Sequence, residues 1–126
     1  MTALQTPALD APGEEWGRLA VAIPDWRYMP GMVASIGAAA SRVDDIAHPW
    51  PMDVRSWPDP DDPATAGCLL ALLEPASPCP FRRPGGLWVV TAGQPPTGSW
   101  DLPSLPLGRA CIAAAAALGR WPGGAS

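Results

Sequence analysis

Asp61-Asp62-Pro63-Ala64-Thr65-Ala66-Gly67-Cys68-Leu69-Leu70-Ala71-Leu72-Leu73 is the stretch on which the fold of this chain turns. Asp62 offers a carboxylate to the unpaired N–H groups that open a helix, and Pro63 suits the first helical position because its fixed φ is already helical and its missing N–H is not needed there. The spacing predicts a helix over 63–73. From 64 to 73 it has almost no polar face, so it is expected to be buried nearly all round, at the centre of the core. Pro75 stops it, since proline lacks the N–H that would continue the ladder.

Working outward, Pro12 falls in a first helical turn, with Glu14 and Glu15 near the positive end of the helix dipole. Trp16, Leu19, Ala20 and Ile23 then form one apolar stripe at helical spacing. Pro24 ends that helix by pushing the residue before it into extended geometry. Gly17 weakens it by about 1 kcal/mol relative to alanine, so packing must hold it. A third helix begins near Ser104, has Pro106 in its first turn and carries the stripe Leu107, Cys111, Ala114, Leu118. Its alanine run, 113–117, favours helix and lets a neighbour approach closely. Arg120 suits its negative end, and Pro122-Gly123-Gly124 terminates it.

Strands are expected at 32–36 and 42–46, loosely joined through 37–41. The β-branched and aromatic run 86–91 reads as a further strand, and a short one is expected near 99–102. In the stretch Ile23-Pro24-Asp25-Trp26-Arg27-Tyr28-Met29-Pro30-Gly31-Met32, Pro30-Gly31 is a type II turn, with Trp26, Tyr28, Met29 and Met32 as a small apolar knot. Segment 48–60 contains Pro49, Pro51, Pro58 and Pro60 and reads as a rigid loop. These elements give an α+β fold, three helices packed on a small, mainly antiparallel sheet, with the 63–73 helix central. A single domain is expected at 11–121, with a flexible lead at 1–10 and a flexible tail at 122–126.

The 126 residues suffice for one domain that needs no disulfide staples. Eighteen prolines and thirteen glycines require long, stiff loops. All eight basic residues are arginine, and charge is unevenly divided: residues 1–74 hold eleven acids against four arginines, residues 75–126 one acid against four. The acidic first part argues against nucleic acid or an anionic membrane as the main ligand, because phosphate contacts need clustered cations, and favours a basic partner. Cys68, Cys79 and Cys111 contain no C-x-x-C pair, so neither a disulfide framework nor a zinc ribbon follows, and reduced cytosol is the simplest home. Residues 1–10 lack the features of a secretion signal, and the longest apolar run, 110–118, is nine residues against the roughly 20 that span a bilayer. A soluble intracellular protein is expected.

Asp59-Pro60-Asp61-Asp62 lacks the central glycine and closing glutamate of a calcium loop, and Pro63 occupies a would-be ligand position. It reads as a helix cap and solvated acidic loop, or as a contact surface for a basic partner. No metal site and no cofactor are expected. His48 is the one histidine; a thiol dyad would pair it with Cys79 in Pro78-Cys79-Pro80, but no nucleophile motif surrounds either. Phe81-Arg82-Arg83 is a weak nucleic-acid patch that reads more simply as solvated loop charge. Seven tryptophans are the main pointer to an interface. Trp50 and Trp57 stand in the proline-stiffened acidic loop, a geometry suited to preorganised contact, so Trp50, Trp57, Asp59 and Asp61 are the candidate partner-binding residues.

The blocks 24–32 (Pro-Asp-Trp-Arg-Tyr-Met-Pro-Gly-Met) and 61–72 (Asp-Asp-Pro-Ala-Thr-Ala-Gly-Cys-Leu-Leu-Ala-Leu), in this order and separation, resemble a family of small uncharacterised proteins encoded by tailed bacteriophages and prophages. Trp88-Val89-Val90 and the final helix over 107–118 extend the similarity. Tyr28 stands where the family has tryptophan, and 37–60 and 75–86 do not match. The resemblance implies origin and fold kinship, with no activity to carry over. The expectation is a non-enzymatic phage or prophage accessory protein that binds a host or virion protein with a basic surface, in the host cytoplasm. Its concrete form is a host-directed inhibitor, of the anti-CRISPR or another anti-defence type, whose acidic first part fills a basic groove meant for nucleic acid. The alternatives are a virion or assembly component that self-associates through the alanine-rich last helix, and a small thiol/histidine enzyme.

Overall fold

In the computed structural model, which describes residues 6–8, 10–36, 39–42, 56–92 and 104–124, the first helix, α1 (Gly13–Ala22), turns Trp16, Leu19 and Ala20 inward. Ile23 completes the stripe, and its extended backbone before Pro24 ends the helix as expected. The Pro30-Gly31 turn also forms. Gly31 has φ +100°, and the Met32 N–H donates to the Met29 carbonyl at 3.2 Å. In the apolar knot Trp26 meets Tyr28 edge-on at 5.2 Å and Trp121, from the far end of the chain, at 5.6 Å. Met32 is fully buried beneath them.

Three short strands follow, β1 (Val33–Ile36), β2 (Ala39–Arg42) and β3 (Trp57–Pro58), forming an antiparallel sheet in the order β2-β1-β3. The second strand covers 39–42; of the strand expected at 42–46, residues 43–46 lie outside the described residues. Ile36 pairs with Ala39, so two residues separate the strands in place of a loose connection. Nothing in Ala-Ala-Ser-Arg carries a strand signal; the ladder offered by β1 overrides propensity. The rigid loop expected over 48–60 likewise gives up Trp57 and Pro58 to an edge strand on β1.

Helix α2 (Pro63–Leu72) starts at its predicted cap. A 3₁₀ turn, Glu74–Ala76, leads through Ser77, at φ 53°, into β4 (Cys79–Arg83), which pairs antiparallel with β5 (Leu87–Thr91) across the turn Pro84–Gly86. Gly85 and Gly86 both have positive φ, which glycine adopts at no steric cost. β4 was not expected, because Pro80 and two arginines mask it. The Trp88 N–H donates to the Leu105 carbonyl at 2.6 Å, and the Trp88 carbonyl accepts from the Leu105 N–H at 2.9 Å. By antiparallel alternation the opposite residue, Arg82, and two positions on, Pro80, turn their main-chain groups to the open edge, where a missing N–H costs the ladder nothing.

Helix α3 (Leu107–Leu118) closes the fold and ends at Gly119, φ 85°, in the left-handed conformation common after a helix. It packs against α1, α2 and β5 together. The fold is α+β, with three helices and antiparallel strands, but the strands form two small sheets instead of one. The central helix is α3, not α2. The expected tail at 122–126 is packed as far as Gly124: Pro122–Gly124 form a 3₁₀ turn, and a Cβ on Gly123 would lie 2.8 Å from the Leu72 carbonyl oxygen. Trp121 is fully buried, and its indole N–H donates to the Ala20 carbonyl at 2.9 Å, fastening the end of the chain to α1. No helix among the described residues is long and apolar enough to cross a membrane. The strand expected near 99–102 lies outside the described residues.

Candidate partner-binding surface

The acidic loop between β3 and α2 is folded by its own carboxylates. The Asp59 N–H donates to the Val33 carbonyl at 2.8 Å, which continues the strand pairing, and the Asp59 side chain accepts from the Asp61 N–H at 3.0 Å. Asp62 caps α2 by accepting from the Thr65 N–H and hydroxyl, both at 3.0 Å. The same Thr65 oxygen accepts from the Val33 N–H at 2.8 Å, tying helix to sheet. Arg42 forks onto Asp62 at 3.3 Å and donates to the Gly31 carbonyl at 2.6 Å. Burial alone would push the Asp62 carboxyl up, but the hydrogen bonds from Arg42 and Thr65, with the Arg42 charge, outweigh it and hold the group below the usual carboxylate range.

Asp61 is held by α3. Arg109 donates to both its oxygens, at 2.9 and 2.8 Å, and to the Ala11 carbonyl at 2.6 Å. The Asp61 hydrogen bonds raise the Arg109 guanidinium further above its already high range, against the effect of burial, and the Asp61 and Asp59 charges add to this. One arginine thereby joins three segments distant in sequence. A Cβ on Gly13 would come within 3.0 Å of an Asp61 carboxylate oxygen, so Asp61 lies against the first turn of α1. There Asp10, Glu14 and Glu15 are exposed, and Asp59 is half-buried behind Asp61. Five carboxylates thus gather around the start of α1, and among the described residues only Arg109 and Arg18, the latter 3.3 Å from Glu14, compensate them. The surface they form is net negative.

The expected interface residues divide. Asp59 and Asp61 belong to this surface. Trp57 does not act as an exposed anchor: it is 5% exposed, enclosed beneath α1, with the Arg18 guanidinium 4.5 Å over its ring. Gly17 makes that burial possible, since a Cβ there would meet the Pro58 carbonyl oxygen and lie 2.6 Å from Trp57 Cδ1. Trp50 and His48 lie outside the described residues. Cys79 is exposed on β4. Burial pushes the Cys111 thiol up to about 12, so it packs as a small apolar group. Burial, then the Asp62 charge, also raises Cys68. Ala113, Ala114 and Ala115 are buried within the domain, while Ala116 is half-buried and Ala117 exposed, so the first three alanines of the run expected to support self-packing are used inside it. Among the described residues no cluster of three His, Cys, Asp or Glu side chains is arranged to hold a metal.

Sequence reading missed Glu14, Glu15 and Asp10 as surface partners of the 59–62 loop, and missed Arg109 altogether. The charge split was visible; which acids meet was not. No protein-family model matches this chain, and comparison with curated proteins and with solved structures likewise finds no match.

Proposed function

We propose that this chain is a non-enzymatic accessory protein of a phage or prophage that acts by binding a host or virion protein with a basic surface, its acidic α1 end making the contact. The observation that carries this reading is the gathering of Asp10, Glu14, Glu15, Asp59 and Asp61, from two segments far apart in sequence, around one helix start with two arginines to offset them. Such a surface raises the rate of encounter with a cationic partner and selects against anionic ones. The concrete form is a host-directed inhibitor, of the anti-CRISPR or another anti-defence type, that occupies a groove meant for nucleic acid. The phage origin rests on the resemblance carried by 24–32 and 61–72, and action in the host cytoplasm follows from that origin.

Affinity capture from host lysate, repeated at rising ionic strength, tests the reading. The expected result is a specific partner that is lost as salt screens the contact. Asp10→Asn with Glu15→Gln removes two carboxylates whose side chains are exposed and make no hydrogen bond or ion pair among the described residues, so circular dichroism should stay unchanged while capture falls. No specific partner, or capture indifferent to both salt and these substitutions, would overturn it.

A further inference from the structure

We infer that the tip of the β4–β5 hairpin docks on the acidic α1 end of a second copy of this chain. Five consecutive residues, Arg82 to Gly86, are exposed at this tip. Arg18, Arg42, Arg109 and Arg120 each have a carboxylate partner, at 3.3, 3.3, 2.8 and 3.7 Å. Arg27, Arg82 and Arg83 have none among the described residues, and only Arg82 and Arg83 stand side by side, although the chain carries more acids than arginines. Phe81, Leu87 and Trp88 are only partly covered beside them, which gives the tip the arginine and aromatic composition of a contact surface.

The open edge of β4 is closed to strand addition. Pro80 and Arg82 turn their main-chain groups outward there, and proline has no N–H to give. Contact must therefore run through the side chains, and guanidinium groups select carboxylates or phosphates. A polyanion long enough to bind firmly would meet the net charge of −4 and the acidic surface, so carboxylates are favoured over nucleic acid. The molecule itself offers the complementary group of carboxylates at the start of α1. α3 packs against both α1 and β5, while α1 and β5 do not pack closely on each other, so the two surfaces are carried by different neighbours of α3. The contact shares the acidic surface with the function proposed above but needs no partner protein, so the two readings fail separately: purified protein tests this one, lysate capture the other.

The experiment is light scattering on the purified full chain over a concentration series at low and high salt. The expected result is an average mass that rises with concentration at low salt and returns to the monomer value at high salt. Arg82→Glu with Arg83→Glu should abolish the rise, and adding Asp10→Arg with Glu15→Arg should restore it by exchanging the charges. All four positions are exposed, and circular dichroism confirms that each variant is folded. A monomer at every concentration in low salt would overturn the inference, as would association that survives the arginine substitutions. So would a short DNA duplex retained through Arg82 and Arg83 by a protein that stays monomeric.

Discussion

α2 and α3 have nearly the same composition, small and apolar with hardly a polar side chain, yet they occupy opposite places. α3 buries Gly108 and the whole run from Ala110 to Ala115. α2 buries Thr65, Ala66, Leu69 and Leu72 and leaves Ala64, Gly67 and Ala71 exposed. Apolar composition says that a helix tolerates burial; the number of elements that come to pack on it decides whether it is buried. α3 receives α1, α2 and β5, whereas α2 receives α3 and the final 3₁₀ turn. Alanine and glycine make the closer approach possible. A Cβ on Gly108 would lie within 2.8 Å of the Pro60 carbonyl carbon, and one on Gly67 would meet nothing within 4 Å.

Matched substitutions break or sharpen this contrast. The largest effect is expected from Ala114→Glu, which forces a carboxyl without a partner into the packed core and should cost upwards of about 4 kcal/mol even when the group is buried neutral, whereas Ala71→Glu on α2 should change stability by less than about 0.5 kcal/mol. Urea unfolding followed by tryptophan fluorescence reads both. Next, Gly108→Ala should cost about 3 kcal/mol, because a backbone carbonyl is in the way, and Gly67→Ala should stabilise by about 1 kcal/mol through helix propensity alone. If the two alanines acted alike, the account of why α3 is central would fail. Gly17→Ala should follow Gly108 in sign, since Trp57 and Pro58 occupy the space.

A smaller effect belongs to the start of α2. Asp62→Ala removes the cap and the Arg42 contact and should cost about 1–2 kcal/mol. Because the folded pKa of Asp62 lies below its unfolded value, its contribution is fully present above the unfolded carboxyl range near ~4 and disappears as pH falls through the folded value. Acid unfolding should therefore be shallower in Asp62→Ala than in the parent. Equal acid limbs would show that the carboxylate adds nothing to the cap.

Local signals were legible wherever they rest on covalent geometry. Pro63 after Asp62, Pro24 after Ile23 and Pro30 before Gly31 each fix backbone angles without help from the rest of the chain, and each forms as read. β4 was hidden because Pro80 speaks against a strand until the register shows it on the open edge. β2 was hidden because Ala39 to Arg42 becomes a strand only once β1 lies beside it. For the candidate surface, Asp59 and Asp61 were legible as acids near a proline-rich turn. Trp57 was misread, because whether an indole faces solvent or a neighbouring glycine depends on which helix covers it, and Gly17 lies forty residues away in the chain.

The sequence by itself determined the class of the fold, the start of α2 to the residue and those of α1 and α3 to within about three residues, and the excess of acid in the first part, since these follow from proline, the capping carboxylate of Asp62, apolar period and composition. Only the tertiary structure decided which apolar helix is central, where Trp57 goes, and that Arg109 draws Asp61 to the head of α1. These depend on contacts between segments distant along the chain, where close approach of backbone to glycine and the pairing of charges select one arrangement among many that the local pattern allows.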